Sequence, residues 1–239
     1  ALAGNPNVGK STLFNALTGL RQHTGNWPGK TVSTARGRCR HHGRDYVLVD
    51  LPGTYSLMAR SAEEEVARDF FCFGGAEGAV VVCDATCLER NLNLALQVLE
   101  LQSRTVVCVN LLDEAERKGI RVDLAELSRR LGVPVVGTSA GREEGLEELL
   151  DQVEGVLDGR ESPKPLTVRY PPPVEFAVAS LTPLLGRRLK DRLPARWTAL
   201  RLLEGEESLL DALAAALNWD PRRDALVAAA VAEARTELA

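Results

Sequence analysis

Gly4-Asn5-Pro6-Asn7-Val8-Gly9-Lys10-Ser11 decides how the rest of this chain is read. It fits the pattern G-x-x-x-x-G-K-[ST], follows the apolar stub Ala1-Leu2-Ala3, and leads into a helical pattern over residues 10–18. Glycines at both ends let the backbone wrap an anion with successive N–H groups pointing inward, and the helix N-terminus adds a favourable field. Lys10 is then placed to reach terminal phosphates, and the Ser11 hydroxyl to ligate Mg²⁺. Asn7, Val8, Gly9, Lys10, Ser11 and Thr12 are the candidate phosphate-binding residues. The predicted ligand is a nucleoside triphosphate.

The 239 residues suffice for one large domain or two modest ones, and 45% apolar with 26% charged residues is ordinary for a globular protein. A net charge of −4 argues against nucleic acid as a partner. No apolar run approaches a membrane span and no signal-peptide pattern opens the chain. It starts without Met on a strand stub and ends inside a helical pattern, which reads as a piece of something longer. Cys39, Cys72, Cys83, Cys87 and Cys108 are odd in number and irregular in spacing, as expected of buried, reduced thiols in a cytosolic compartment. Cys83, Cys87, His41 and His42 lack zinc-knuckle spacing, and His41-His42-Gly43 reads as the exposed tip of a hairpin.

The first two-thirds alternates two kinds of segment. Apolar strand-like runs lie at residues 46–49, 79–83, 105–109 and 133–136; helical patterns lie at 10–18, 63–71, 89–101, 123–131 and 145–157. Continuous apolar strands between amphipathic helices predict an α/β fold with a mainly parallel sheet covered on both faces. Residues 36–42 and 44–50 flank a turn and are expected to form the single antiparallel pair, giving one antiparallel edge strand. Ligands on such sheets bind at the carboxyl ends of the strands, where every motif named here falls. Beyond Gly159, Ser162-Pro163-Lys164-Pro165 and Pro171-Pro172-Pro173 bracket a stiff linker. The expected organisation is a nucleotide-binding domain at 1–159, a linker at 160–172 and a small all-α domain at 173–239. In the last, Val174, Val178, Leu181 and Leu185 share one face and Trp197, Leu200 and Leu203 another. Pro183 is expected to break or kink its first helix, and Asp220-Pro221 to start its last.

The strand ending at Val49 runs into Asp50-Leu51-Pro52-Gly53, where a carboxylate can hold Mg²⁺ and the Gly53 N–H can meet a γ-phosphate. Asn110-Leu111-Leu112-Asp113 follows another buried strand. A carboxylate at Asp113 can accept from both N1–H and the exocyclic amine of guanine, a donor pair adenine lacks, so GTP is predicted over ATP. Asn110 would brace the loops, and Thr138-Ser139-Ala140 supplies small residues beside the base. Thr31 sits in a Gly/Pro-rich stretch where a switch loop would bring it to Mg²⁺ and the γ-phosphate. Lys10, Thr31 and Gly53 are the candidate catalytic residues, with Ser11, Thr31 and Asp50 as Mg²⁺ ligands. Where many GTPases carry a glutamine just after D-x-x-G, this chain has Thr54, so slow intrinsic hydrolysis is expected.

Taken together, the motif at 4–11, the stretch at 25–32, Asp50-Leu51-Pro52-Gly53-Thr54-Tyr55-Ser56-Leu57, residues 84–92 and 110–115, and the Trp197 segment with Leu202-Leu203-Glu204-Gly205 resemble the ferrous iron transport protein B (FeoB) family. The resemblance implies a P-loop GTPase fold followed by a helical domain that modulates nucleotide affinity. It implies a longer protein whose transmembrane region moves Fe²⁺ inward, with this region on the cytoplasmic face of the bacterial inner membrane and small FeoA-type accessory proteins as partners. It also suggests a K⁺ ion, held by Asn7 and by switch-loop carbonyls near Trp27 and Gly29, that speeds hydrolysis. Lys30 and Ser33 depart from the family's frequent apolar residue and Glu, on either side of Thr31. Two rival readings are a regulatory GTP/GDP switch acting through partner binding, and a ribosome-associated GTPase of the Era type. The latter calls for a basic appendage, whereas this tail is acidic and helical.

Overall fold

Alternation in two buried strands sets the architecture. In β5 (Ala79–Asp84) and β6 (Thr105–Asn110), Val81, Cys83, Val107 and Val109 face one core, while Val82, Val106 and Cys108 face another. A strand apolar on both faces has to be covered on both, which places helices above and below the sheet. α3 (Leu88–Leu101) contributes Leu94, Ala95, Val98 and Leu99 to the first core. α1 (Lys10–Thr18) and α6 (Leu146–Leu157) contribute Leu13, Phe14, Leu149 and Val156 to the second. The structure is a computed structural model, and it describes residues 1–19, 22–26, 32–58 and 61–238. The chain divides into two compact units, Ala1–Leu166 and Thr167–Ala239.

In the first unit seven strands pair in the order β2-β3-β4-β1-β5-β6-β7. β1 (Leu2–Gly4) lies parallel between β4 (Arg44–Asp50) and β5, and β7 (Val135–Gly137) parallel to β6. The expected fold class is the one found, with one correction. The antiparallel part is not a single pair ending at an edge strand, because β2 (Gln22–Asn26) pairs antiparallel with β3 (Ser33–His41) and takes the edge. Gln-His-Thr-Gly-Asn has no apolar alternation, so its backbone pairing with β3 leaves no signal in the sequence. The remaining helices of this unit are α2 (Ala62–Phe73), α4 (Leu112–Arg117) and α5 (Leu124–Leu131). Ser61 and Asp123 cap the first and last of these through their side chains. Lys164 and Leu166 donate backbone hydrogen bonds to Gly132 and Leu131, so the first half of the Pro-bracketed segment is tied to the first unit.

Two expectations about single residues are corrected here. Cys39, Cys72, Cys83 and Cys108 are buried, but Cys87 is exposed, because it lies in the turn after β5 and outside the strand. Burial pushes the Cys108 thiol up to about 12. His41 is not an exposed hairpin tip: it is buried, its ring 2.7 Å from Asp151, and the turn itself is His42-Gly43.

Among the described residues the second unit has four helices: α7 (Pro172–Leu189), α8 (Ala195–Glu204), α9 (Glu207–Leu217) and α10 (Ala225–Leu238). Val178, Leu181, Leu185 and Leu189 of α7 and Trp197, Leu200 and Leu202 of α8 are buried. The expected break at Pro183 does not occur; α7 runs through it. Leu181 and Leu185 are buried on either side, and the Thr182 hydroxyl bonds the Val178 carbonyl one turn back. The last helix starts at Ala225, four residues after Pro221. Asp220 is spent on a turn, accepting from Arg222 N–H, and Asp224 takes the capping position by accepting from Val227 N–H.

Candidate nucleotide site

β1, β4, β6 and β7 all end at one edge of the sheet, and the loops leaving their carboxyl ends build the site. After β1 the chain makes a tight loop with Asn7 and Gly9 both in left-handed conformations, φ 66° and 78°. At Gly9 only glycine fits, since a Cβ would stand 2.4 Å from the Asn110 amide nitrogen. Gly9 caps α1 without any side-chain acceptor, which leaves the first-turn N–H groups facing the loop. Asn7, Ser11 and Thr12 are exposed there, whereas Val8 and Lys10 are buried.

Lys10 does not point into solvent. Its ammonium forms an ion pair with Asp50 and donates to the Leu51 carbonyl at 2.5 Å. Burial raises the Asp50 carboxyl above its ordinary range, against the opposing pull of Lys10. Gly53 lies against Pro6, where a Cβ would come within 3.3 Å of the Pro6 backbone, and the Thr54 N–H donates to Gly4 at 3.2 Å. The D-x-x-G turn is thus held onto the glycine-rich loop. Thr54 is buried, with its hydroxyl turned to the Ser56 carbonyl at 2.6 Å.

Asn110 joins the two halves of the edge. Its Nδ2 donates to the Val8 carbonyl at 3.0 Å, and its Oδ1 accepts from Thr138 Oγ1 at 2.9 Å and from Ala140 N–H at 3.0 Å. One fully buried amide therefore ties the glycine-rich loop to the loop after β7. Leu111, at φ 63°, turns the chain so that Asp113 enters α4 beside that loop. Asp113 N–H donates to Ser139 Oγ at 3.3 Å; its carboxylate stands 3.4 Å from Arg117 and 3.5 Å from Arg142, both largely exposed. Thr138, Ser139 and Ala140 are buried. Thr31, Trp27 and Gly29 lie outside the described residues.

The donor set suits an anion with a hard cation. Ser11 and Asp50 offer oxygen ligands of the kind Mg²⁺ takes, and the Gly9 loop is a cradle that any side chain would fill. Asn5, only 3% exposed, has neither amide atom paired, and a buried amide in that state is costly unless a bound group or water meets it. Its place in the motif gave no hint of this. Sequence reasoning also missed Gln97 and Arg90 on α3. Gln97 Oε1 accepts from Leu57 N–H at 2.7 Å and from Ser56 Oγ at 3.0 Å, and the Arg90 guanidinium lies 4.3 Å from the Tyr55 ring centroid. Both anchor the segment after Gly53; Arg90 lies in the stretch 84–92 that carries the family resemblance, but nothing local in the sequence shows either contact, because α3 is far along the chain from that segment.

Residues 1–153 match the family model for ferrous iron transport protein B, and residues 170–239 match that for the FeoB cytosolic helical domain. The chain belongs to the FeoB family. The Fe(2+) transporter FeoB of Escherichia coli K12 is 40% identical over 211 residues, covering 86% of this chain and 26% of that protein. A Porphyromonas gingivalis Fe(2+) transport protein A/FeoB fusion is 39% identical over 213 residues, with 87% and 25% coverage. The chain thus spans about a quarter of the length of these FeoB relatives. Among solved structures, the cytosolic domain of T. maritima FeoB in a GDP form superposes with a TM-score of 0.79 at 34% identity, covering 99% of this chain and 93% of that one. The L. pneumophila FeoB cytosolic domain gives 0.80 at 32% identity, with 99% and 96% coverage. Among the described residues no helix is long and apolar enough to cross a membrane.

Proposed function

We propose that this chain binds and hydrolyses GTP as the regulatory region of a ferrous-iron importer. The observation that supports this reading is the Asn110 bridge, which ties the Asn7–Gly9 turn to the loop after β7, where Ser139 accepts from Asp113 N–H. The Asn7–Thr12 loop binds the phosphates, with Lys10 moving from Asp50 onto them. Asp113 sorts guanine from adenine, with Asn110, Thr138, Ser139 and Ala140 shaping the base pocket. Ser11, Thr31 and Asp50 hold Mg²⁺, which neutralises phosphate charge when bound. The Gly53 N–H meets the γ-phosphate. Relatives of the family are known in GDP and GMPPNP forms, which fits this assignment.

Turnover is slow because Thr54, at the position where many GTPases orient water, is buried and engaged with Ser56. Asn7 and backbone carbonyls near Trp27 and Gly29 would hold a K⁺ ion, which when bound would supply the missing positive charge. The 1–159 region acts as the GTPase, and the helical residues 173–239 modulate its nucleotide affinity. In the full-length protein, hydrolysis or the GTP/GDP exchange gates or drives Fe²⁺ passage through a membrane region, and a FeoA-type protein is a partner, as the P. gingivalis fusion suggests. The test is fluorescent-nucleotide binding and phosphate release with GTP and ATP, in KCl and in NaCl. Micromolar guanine-selective binding with faster turnover in KCl is expected. Preference for ATP would sink the base assignment, and equal rates in the two salts would remove K⁺.

A further inference from the structure

At the sheet edge opposite the nucleotide site, the β3–β4 turn brings two histidines against two carboxylates of α6. Asp151 and Glu154 are three residues apart on that helix and share a face. His41 Nε2 lies 2.7 Å from Asp151 Oδ1; His42 Nδ1 lies 3.0 Å from Glu154 Oε2 and 3.7 Å from Asp151 Oδ1. One ligand atom from each of the four falls within 4.8 Å of all the others. Donors at about 2.0–2.2 Å from one tetrahedral ion stand roughly 3.3–3.6 Å apart, so these four need only small rotations to share one. We propose that His41, His42, Asp151 and Glu154 form a site for a divalent first-row transition ion, of which Zn²⁺ and Fe²⁺ fit best.

The donor chemistry selects the class. Two imidazoles and two carboxylates favour borderline ions over Mg²⁺ or Ca²⁺, which take oxygen alone. The frame is built. His41 and Glu154 side chains are 9% and 8% exposed, so two donors are held inside, while His42 at 58% and Asp151 at 48% leave a way in from solvent. His42 occupies a left-handed turn position, φ 44°, ahead of Gly43 at 81°; such turns usually take Asn or Gly, and this one presents an imidazole instead. Two cations compete for Glu154: Arg160 at 3.2 Å and Arg44 at 3.9 Å. Both are more than half exposed, and both already have Asp158 as a second partner, so an ion can displace them. Bound there, it would fasten the hairpin to α6, and β3 leads from that hairpin back to Ser33, two residues beyond Thr31.

The site is independent of the nucleotide assignment and can be tested apart from it. The chain, with exposed Cys87 alkylated and excess Mg²⁺ filling oxygen-only sites, is titrated with Co²⁺ and followed by visible absorption. One saturable site of imidazole–carboxylate character is expected, with stoichiometric displacement by Zn²⁺ and competition by Fe²⁺ under anaerobic conditions. Displacement by Zn²⁺ without competition by Fe²⁺ supports the site and assigns it to Zn²⁺. His42→Asn, which suits the turn, and Asp151→Asn should each weaken Co²⁺ binding at least about tenfold. Zn²⁺ at a fixed concentration should raise the melting temperature of the parent more than that of either variant. Absence of saturable Co²⁺ binding, or unchanged affinity in both folded variants, overturns the proposal.

Discussion

Asn110 and Asp113 stand three positions apart in one motif, yet the structure gives them different work. The Asn110 side chain is buried and makes three hydrogen bonds across two loops, whereas Asp113 meets, among the described residues, two exposed arginines and one serine hydroxyl. Asn110→Ala strands the Val8 carbonyl and the Ala140 N–H in a dry interior and leaves the Thr138 hydroxyl with only the weak Cys108 thiol as a partner among the described residues. A loss of about 2–4 kcal/mol is expected in denaturant unfolding, together with loss of nucleotide binding. Asp113→Ala should change stability by less than about 1 kcal/mol, since exposed ion pairs contribute little. Its guanine-nucleotide affinity should still fall at least about a hundredfold in a fluorescence titration. Equal destabilisation by both variants would contradict this division. The residue types at these positions were legible because their chemistry fixes their spacing. What the sequence could not show was the pairing of Lys10 with Asp50, or the Asn5 amide without a partner among the described residues. Both depend on side-chain directions set by folding.

Among elements, periodicity was a good guide wherever burial was two-sided or amphipathic, and failed where backbone alone did the bonding. β5, β6 and α3 were visible as apolar patterns, but β2 carries none, and α10 is capped by Asp224 and not by Asp220 because two aspartates compete for one capping role. The loop after Gly53 shows the same limit. Its order comes from α3, through Gln97 to Ser56 and Leu57 and through Arg90 to Tyr55. Gln97→Ala removes the acceptor for a backbone N–H and a hydroxyl in one step. The amides of residues 54–58 should then exchange with deuterium faster while those of β6 stay protected. Global stability should fall by only about 1–2 kcal/mol, as for the loss of one or two hydrogen bonds. Unchanged exchange over 54–58 would mean that the loop is held by its own contacts with Gly4 and Pro6.

For the whole molecule, each unit carries a carboxylate held below its ordinary range, and each such group contributes a loss of stability in acid. In the first unit, hydrogen bonds from Arg129 and Arg130 pull Glu126 down to about 2. In the second, Arg196 grips Glu175 with two 2.8 Å bonds and Tyr170 N–H adds a third, taking Glu175 from an ordinary 4.5 to about 2. A carboxylate depressed in the folded state binds fewer protons there than when unfolded. The stability it contributes is therefore present in full above about pH 4.5 and drains away as pH falls toward 2. Glu175→Gln should lower the melting temperature at pH 7 and shrink the parent–variant difference steadily between pH 4.5 and 2. The exposure of this pair makes salt screening part of the same test, because ionic strength weakens a solvent-facing Arg–carboxylate contact. Thermal melts of parent and variant at pH 7, 4.5, 3 and 2 and at two salt concentrations measure both effects. A difference that stays constant with pH would show that Glu175 acts by its shape and hydrogen bonds alone, with its charge contributing nothing.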